Sequence, residues 1–396
     1  MNNYTLQDIK ELAYSHYGGF SKYATVEPSD SSSIRYFGSK ANDNLRSAFS
    51  VDIDKIINNP FYNRYSDKTQ VFSFYKNDDI TRRATHVQLV ARISRLICSC
   101  LGLNIDLAEA IALGHDIGHT PFGHVGEMYL NDLYNNATGR FFNHNVHSVR
   151  ALKVVTPTNL TIHTLDGIIC HNGEKPEGEY YPSKAKSLEE FEDMIEKCYT
   201  DKGFVKTLRP FTLEGCVVRI SDILAYLMKD RQDAEKINLN IEYDEAGILG
   251  AENYQFLGNI IENIIKNSFD KPYIKMDEEV FEDLYRLKEE NAKKIYGNDD
   301  INSMYDATIK PMMHALYNRF REDIINDNHD SYIFKHHINH PRLCKTYKHL
   351  ERMRLDDVVV DYIASMTDDY FIDLYNKLYG DDDVYNKVRY ISYFDE

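Results

Sequence analysis

Tryptophan is absent from this chain, and no C-x-x-C pair occurs among its six cysteines. No apolar run approaches the ~18 residues that suggest a membrane span. The opening MNNYTLQDIK has neither a basic n-region nor an apolar h-region. Together these absences lead to an expectation of a cytoplasmic protein with free thiols. Basic residues are in deficit: 46 Lys and Arg against 62 Asp and Glu give a formal charge of −16. That balance argues against nonspecific coating of nucleic acid. An anionic substrate would have to be received locally, by a metal ion and a few Arg or Lys side chains. There is no internal repeat, no low-complexity block and no strand–helix alternation of the kind that builds a parallel sheet.

What remains is a globular composition, 43% hydrophobic and 27% charged, with an unusual 30 tyrosines. Residues 1–44 read as a polar N-terminal extension, with Ser29–Ser33 as loop. Residues 65–75, YSDKTQVFSFY, permit a short strand or hairpin. The rest is helical. Thr81–Leu101 puts His86, Val90, Ile93 and Ile97 on one stripe. Asp106 is the expected N-cap of a helix from Leu107 to His115. Further helices are predicted over 124–134, 144–155, 160–170, 188–199, 213–232, 256–265, 280–295, 314–325, 356–366 and 370–379. Gly173–Ser187 reads as a surface loop. A basic island of His336, His337, His340, Arg342, Lys345 and Lys348 reads as solvated surface. The fold class is all-α, with a core over 45–234 and a helical region over 235–396 packed on it.

The chemistry concentrates in IALGHDIGHTPFGHVGE, residues 111–127. Three His, one Asp and one Glu around a turn are more titratable groups than a core helix needs. A cation needs about four donor atoms from different elements, and neutral His with ionised Asp are usual donors. His86, His115, Asp116 and Asp222 are the candidates. Asp222 lies within VVRISDILAYL, where an unpaired carboxylate would be costly; a cation removes the difficulty. Asp222, Tyr226 and Asp230 recur at i, i+4 and i+8, so they share a helix face. His124 and Glu127, three apart, form an imidazole–carboxylate pair suited to acid–base work. Any one of these residues alone reads as ordinary core or surface; the set does not.

The set resembles the HD superfamily of metal-dependent phosphohydrolases, and within it the dGTPase-like deoxynucleoside triphosphate triphosphohydrolases. The resemblance rests on SDKTQVF (66–72), TRRATHVQLV (81–90), EAIALGHDIGHTPFGHVGE (109–127), FFNHNVHSVR (141–150), NLTIHTLDGI (159–168), EGCVVRISDILAYLMKDRQDA (214–234) and DYIASMTDDY (361–370). It implies an HD-type helical core. It implies one divalent ion (Mn, Mg, Fe, Co or Zn) on His86, His115, Asp116 and Asp222. It also implies a catalytic His124–Glu127 pair, and His119 and His144 facing the α-phosphate. Tyr226 and Asp230 would line the sugar and phosphates, with Asp230 and Gln70 near the 3′-hydroxyl and Arg83 near the substrate. His147 and Lys55 depart from the family pattern, which leaves base specificity open. The implied reaction converts a dNTP and water to deoxynucleoside and inorganic triphosphate, with dGTP the first substrate to try. The resemblance further implies a homo-oligomer, hexamer or tetramer, and a dNTP activator at a second site. Two other readings stand beside it: an HD phosphodiesterase or nucleotidase with different products, and a dNTP sensor or single-stranded DNA-binding regulator.

Overall fold

Helix α1, Ala48–Ile57, begins at Ser47, whose hydroxyl accepts the Ser50 amide. The computed structural model describes residues 19–27, 34–38, 45–172, 176–341, 343, 345–380 and 382–392. Residues 1–18, Ser29–Ser33, Arg342 and Cys344 lie outside the described residues. A single turn (Pro60–Asn63) and a 3₁₀ turn (Arg64–Asp67) lead through a loop to strand β1, Tyr75–Lys76. Helix α2, Arg83–Leu101, buries the predicted stripe of His86, Val90, Ile93 and Ile97, and Gly102 ends it at φ +65°. Helix α3, Ile105–Gly114, starts earlier than expected: Asn104 caps it by accepting the Leu107 amide. Asp106 instead accepts a hydrogen bond from the Ser47 hydroxyl at 2.9 Å.

Then come α4 (Gly123–Thr138), α5 (His144–Arg150) running into a π-turn (Ala151–Val155), and α6 (Ile162–Cys170). Strand β2 (Glu179–Tyr180) precedes α7 (Leu188–Thr200) and the long α8 (Leu213–Lys236). Next are α9 (Asn253–Ser268), β3 (Ile274–Lys275) and α10 (Glu278–Asn291), the last extended by a π-turn to Tyr296. The chain closes with α11 (Asp299–Ala307), α12 (Ile309–Ile325), α13 (Leu355–Ala364), α14 (Asp368–Tyr379) and β4 (Ile391–Ser392).

The fold is all-α, and the β content among the described residues is two small two-stranded pairs. β2 and β3 pair antiparallel, Tyr180 opposite Ile274. β1 pairs in parallel with β4, Tyr75 opposite Ile391. The 65–75 stretch therefore supplies a strand whose partner comes from the far end of the chain, plus an antiparallel bridge from Thr69 to Arg82.

Helices α2, α3 and α8 pack on one another, and α3 also packs on α1 and α6. Helix α12 lies against α4 and α13. Buried apolar side chains from Phe49 to Tyr375 form a continuous cluster. The basic island is only partly surface. His337 is buried with Nε2 2.7 Å from the Tyr347 hydroxyl, and His336 pairs with the Tyr370 hydroxyl at 2.7 Å. Lys345 and Lys348 are exposed. A π-turn at Phe334–Ile338, turned inward by its apolar residues, carries His337 into the core.

Candidate functional site

The turn between α3 and α4 is shaped by what a Cβ would strike. A Cβ on Gly118 would lie 2.2 Å from the Ser148 amide nitrogen, so only glycine lets this turn press on α5. Phe122 then adopts φ +63°, unusual for a residue with a side chain, and starts α4. Asp368 holds it there: its Oδ1 accepts the Phe122 amide at 3.0 Å. The other oxygen, Oδ2, accepts from the Thr69 amide at 3.1 Å and hydroxyl at 2.6 Å. One buried carboxylate on α14 thus ties the Gln70 loop to the start of the His124 helix.

At the end of α3, four predicted side chains meet. His86 Nε2 is 3.0 Å from Asp222 Oδ1, and His115 Nε2 is 3.7 Å from the same oxygen. Asp116 Oδ1 is 3.6 Å from His115 Nε2, and its Oδ2 is 3.9 Å from His86 Nε2. His115 Nδ1 donates to the Ala112 carbonyl at 2.7 Å, which leaves Nε2 turned into the cluster. That Nε2 is buried without a hydrogen-bond partner. Burial works against ionised Asp222, but His86 and His115 outweigh it and hold the carboxyl down at about 2. Burial is likewise overcome at Asp116, where His115 and Arg83 keep it well below the usual carboxylate range. Ionised carboxylates and imidazole lone pairs facing one point are the donor set of a divalent cation.

A second group lies alongside. Glu127 accepts from His124 Nδ1 at 3.2 Å and from His144 Nδ1 at 2.9 Å, and also takes the His144 amide at 2.7 Å. His124 is three-quarters exposed, whereas Glu127 is mostly covered. His119 is fully buried, with its ring stacked on His144 at 4.6 Å between centroids. Its burial, reinforced by Arg83 and His144, keeps it neutral.

These groups border a cavity of about 680 Å³, a volume usual for a small-molecule site. Gln70, Arg83, His86, Asp116, His124, Glu127, His144, Asp222, Tyr226 and Asp230 all line it. His115 and His119 sit behind the wall. Several wall atoms are buried and unpartnered: Gln70 Oε1, Arg83 Nε and Nη2, and Asp230 Oδ1. Arg83 gives only Nη1 to Asp116. Burial raises Asp230 to about 7, and its Oδ2 accepts the Tyr296 hydroxyl at 2.5 Å.

The HD domain family matches residues 83–227, and the phosphohydrolase-associated domain family matches 274–377. A deoxyguanosinetriphosphate triphosphohydrolase-like protein of Caldanaerobacter subterraneus is 32% identical over 85% of this chain and 86% of its own length. Proteins of the same description in Clostridium tetani and Pelagibacter ubique are 30% and 31% identical over 85% of this chain, covering 87% and 94% of theirs. The chain belongs to the dGTP triphosphohydrolase-like family of HD-domain phosphohydrolases. The metal-dependent hydrolase class and the HD fold expected from the sequence follow from that membership.

Sequence reasoning missed part of this cluster. His171, one residue beyond α6, reaches the cluster with Nε2 3.8 Å from Asp116 Oδ1 and 3.2 Å from His144 Nε2. Its neighbours IIC-HN give a histidine at a helix end and no more. Lys288, Tyr296, Asn302 and Tyr305 close the cavity from α10 and α11. Lys288 and Tyr296 are eight apart, a spacing that is consistent with one helix face but just as common in plain core helices.

Proposed function

We propose that this protein hydrolyses deoxynucleoside triphosphates at the α-phosphate, dGTP foremost, giving deoxynucleoside and inorganic triphosphate. One observation carries the reading: Gln70, Arg83 and Asp230, each with a buried polar atom that has no hydrogen-bond partner, line a single cavity beside the His/Asp cluster. Such atoms cost free energy unless a ligand satisfies them. A triphosphate for Arg83 and a sugar hydroxyl for Gln70 and Asp230 would do so.

His86, His115, Asp116 and Asp222 would hold one divalent cation, and Mn, Mg, Fe, Co and Zn all suit that donor set. When bound, the ion supplies positive charge at the α-phosphate and lowers the pKa of nearby water. Water adds to the α-phosphorus, the bond to the 5′-oxygen breaks, and that oxygen takes up a proton. His124, exposed to the cavity and oriented by Glu127, is the group for proton transfer, giving a proton to the 5′-oxygen or taking one from water. His144 faces the phosphates from the wall, and His119 fixes its plane from behind. Arg83, at the cavity wall beside Asp116, adds positive charge toward the phosphates. Tyr226 stacks along the sugar, and Asp230 and Gln70 meet the 3′-hydroxyl. A homo-oligomer and a second, activating dNTP site belong to the same proposal.

The test is a panel of the four dNTPs, singly and in pairs, with Mn²⁺ or Mg²⁺ and product chromatography. Deoxynucleoside and triphosphate are expected, with dGTP fastest or acting as the activator of another. Pyrophosphate with monophosphate would reject the proposal in favour of a nucleotidase. Tight binding without turnover would favour a sensor. Light scattering on the same samples reads the oligomer.

A further inference from the structure

We propose that Arg231 is a positioning residue for the far wall of the cavity: through Glu290 and Asn291 it fixes the end of α10, and with it Tyr296, against Asp230. Its effect on substrate rests on the dNTP reading above; its effect on the wall does not. Arg231 follows Asp230 on α8 but is not among the residues that line the cavity. Its guanidinium is buried and reaches α10 instead. Nε donates to Asn291 Oδ1 at 2.7 Å, and Nη2 donates to Glu290 Oε2 at 2.6 Å and to the Leu287 carbonyl at 3.3 Å.

The contact runs both ways. Asn291, fully buried, donates Nδ2 to the Leu227 carbonyl of α8 at 2.7 Å. Asn291 is also the last residue of α10, and the π-turn that follows ends at Tyr296. There the Tyr296 hydroxyl donates to Asp230 Oδ2 at 2.5 Å. The circuit from Arg231 through Asn291 and the π-turn thus closes on the neighbouring residue of the same helix. With Oδ2 held in this way, Asp230 keeps the unpartnered Oδ1 for a ligand. On its other side, Glu290 Oε1 accepts the Asp244 amide at 2.6 Å and Lys294 Nζ at 2.7 Å. Those bonds lay the segment joining α8 to α9 along α10.

Stability alone does not account for this cluster. Burying both members of the Arg231–Glu290 pair costs much of what their attraction gives, and an apolar pair often holds two helices as well. The guanidinium adds direction, because its planar fork meets acceptors only at set angles. Here the three acceptors belong to the last two turns of α10, so one orientation of that helix end satisfies them all. Lys288 and Tyr296, which line the cavity, are carried by that end and by its π-turn. The His and Asp donors of the metal cluster lie on other turns. Loss of Arg231 is therefore expected to weaken substrate binding more than the chemical step.

Two measurements test this on the full chain. In kinetics with the dNTP the wild type turns over fastest, Arg231→Met is expected to raise KM about tenfold, with kcat within about threefold and Mn²⁺ content unchanged. Arg231→Lys keeps the charge on Glu290 without the fork and should fall between. A tenfold fall in kcat at constant KM would overturn the proposal. Amide exchange without nucleotide reads the wall itself. Arg231→Met should exchange faster than wild type in residues 286–302 and equally in α2 and α3. Unchanged exchange in 286–302 rejects the positioning role; faster exchange in all three regions shows a general loss of stability and rejects it too. A wild type that turns over no dNTP, beside the expected exchange pattern, sinks the dNTP reading and leaves the positioning role standing. Should Arg231→Met unfold, Arg231→Lys is judged by the same changes in KM and exchange.

Discussion

Asp222 lies in the apolar middle of α8, with Ile220 and Ile223 buried on either side. His86 and His115 face the carboxylate there and hold it low against the cost of burial. Asp222→Ala is therefore expected to lose the metal and to lower turnover by at least about 10³-fold. His124→Ala should keep the metal and lose roughly 10²-fold in kcat, the usual share of one proton-transfer group. Metal analysis beside kinetics separates the two; near-normal kcat in His124→Ala would remove that residue from the mechanism. Asp230 behaves differently. Burial raises its carboxyl to about 7, against about 3.9 in an unfolded chain. Between those values the unfolded state releases a proton that the folded state retains. Stability from this group is thus full below about pH 4 and lost as pH rises to 7. Asp230→Asn removes the loss, by on the order of 2–4 kcal/mol. Metal-free Asp230→Asn should melt a few degrees higher than wild type at pH 8 and about equally at pH 4.5, while its KM for dNTP rises. An equal shift at both pH values would show that the carboxyl is not the cause.

At the scale of elements, α14 acts on a site to which it contributes no cavity-lining residue. Its first turn carries Asp368, which holds Thr69 beside Gln70 and Phe122 two residues before His124. Lys68 adds a second tie, donating to the carbonyls of His119 and Ala364. Tyr305 of α11 adds a third, accepting the Ser73 amide and donating to the Val71 carbonyl. The loop that presents Gln70 is thus fixed by the last third of the chain. Asp368→Asn puts an amide donor against either the Phe122 amide or the Thr69 pair of donors and breaks one arm of the tie. The expected result is a roughly tenfold fall in kcat with metal content unchanged, on the scale of a misplaced catalytic group. Amide exchange should quicken in residues 66–75 and 119–128 but not in α3. Unchanged exchange in both segments would show that Asp368 does not position them. DYIASMTDDY, visible in the sequence as a motif without a role, owes its importance to this contact.

Across the whole molecule, the acidic surplus and the abundance of tyrosine explain each other in part. Phenol hydroxyls donate to carboxylates at Tyr134–Asp357, Tyr317–Asp356, Tyr129–Asp306, Tyr375–Asp382 and Tyr296–Asp230. With too few cations to pair every acid, a phenol is a neutral donor that also brings apolar bulk. No helix among the described residues is long and apolar enough to cross a membrane.

Local chemistry wrote most of the helices into the sequence, because apolar spacing and caps act within a few residues of chain. The same holds for the metal set: a carboxylate inside an apolar helix and a His-Asp pair at a helix end are anomalies that need no partner in view to be noticed. Tertiary structure alone decided the rest. The partner of β1 is some 300 residues away, and His337 is buried where charge patterning placed it on the surface. His171 belongs to no spaced ligand pattern along the chain and meets Asp116 and His144 only when α3, α5 and α6 converge. Asp368 is one acid among many until Thr69 and Phe122 lie beside it. Contacts of that kind join segments with no shared period or neighbouring residue, and packing is the only thing that brings them together.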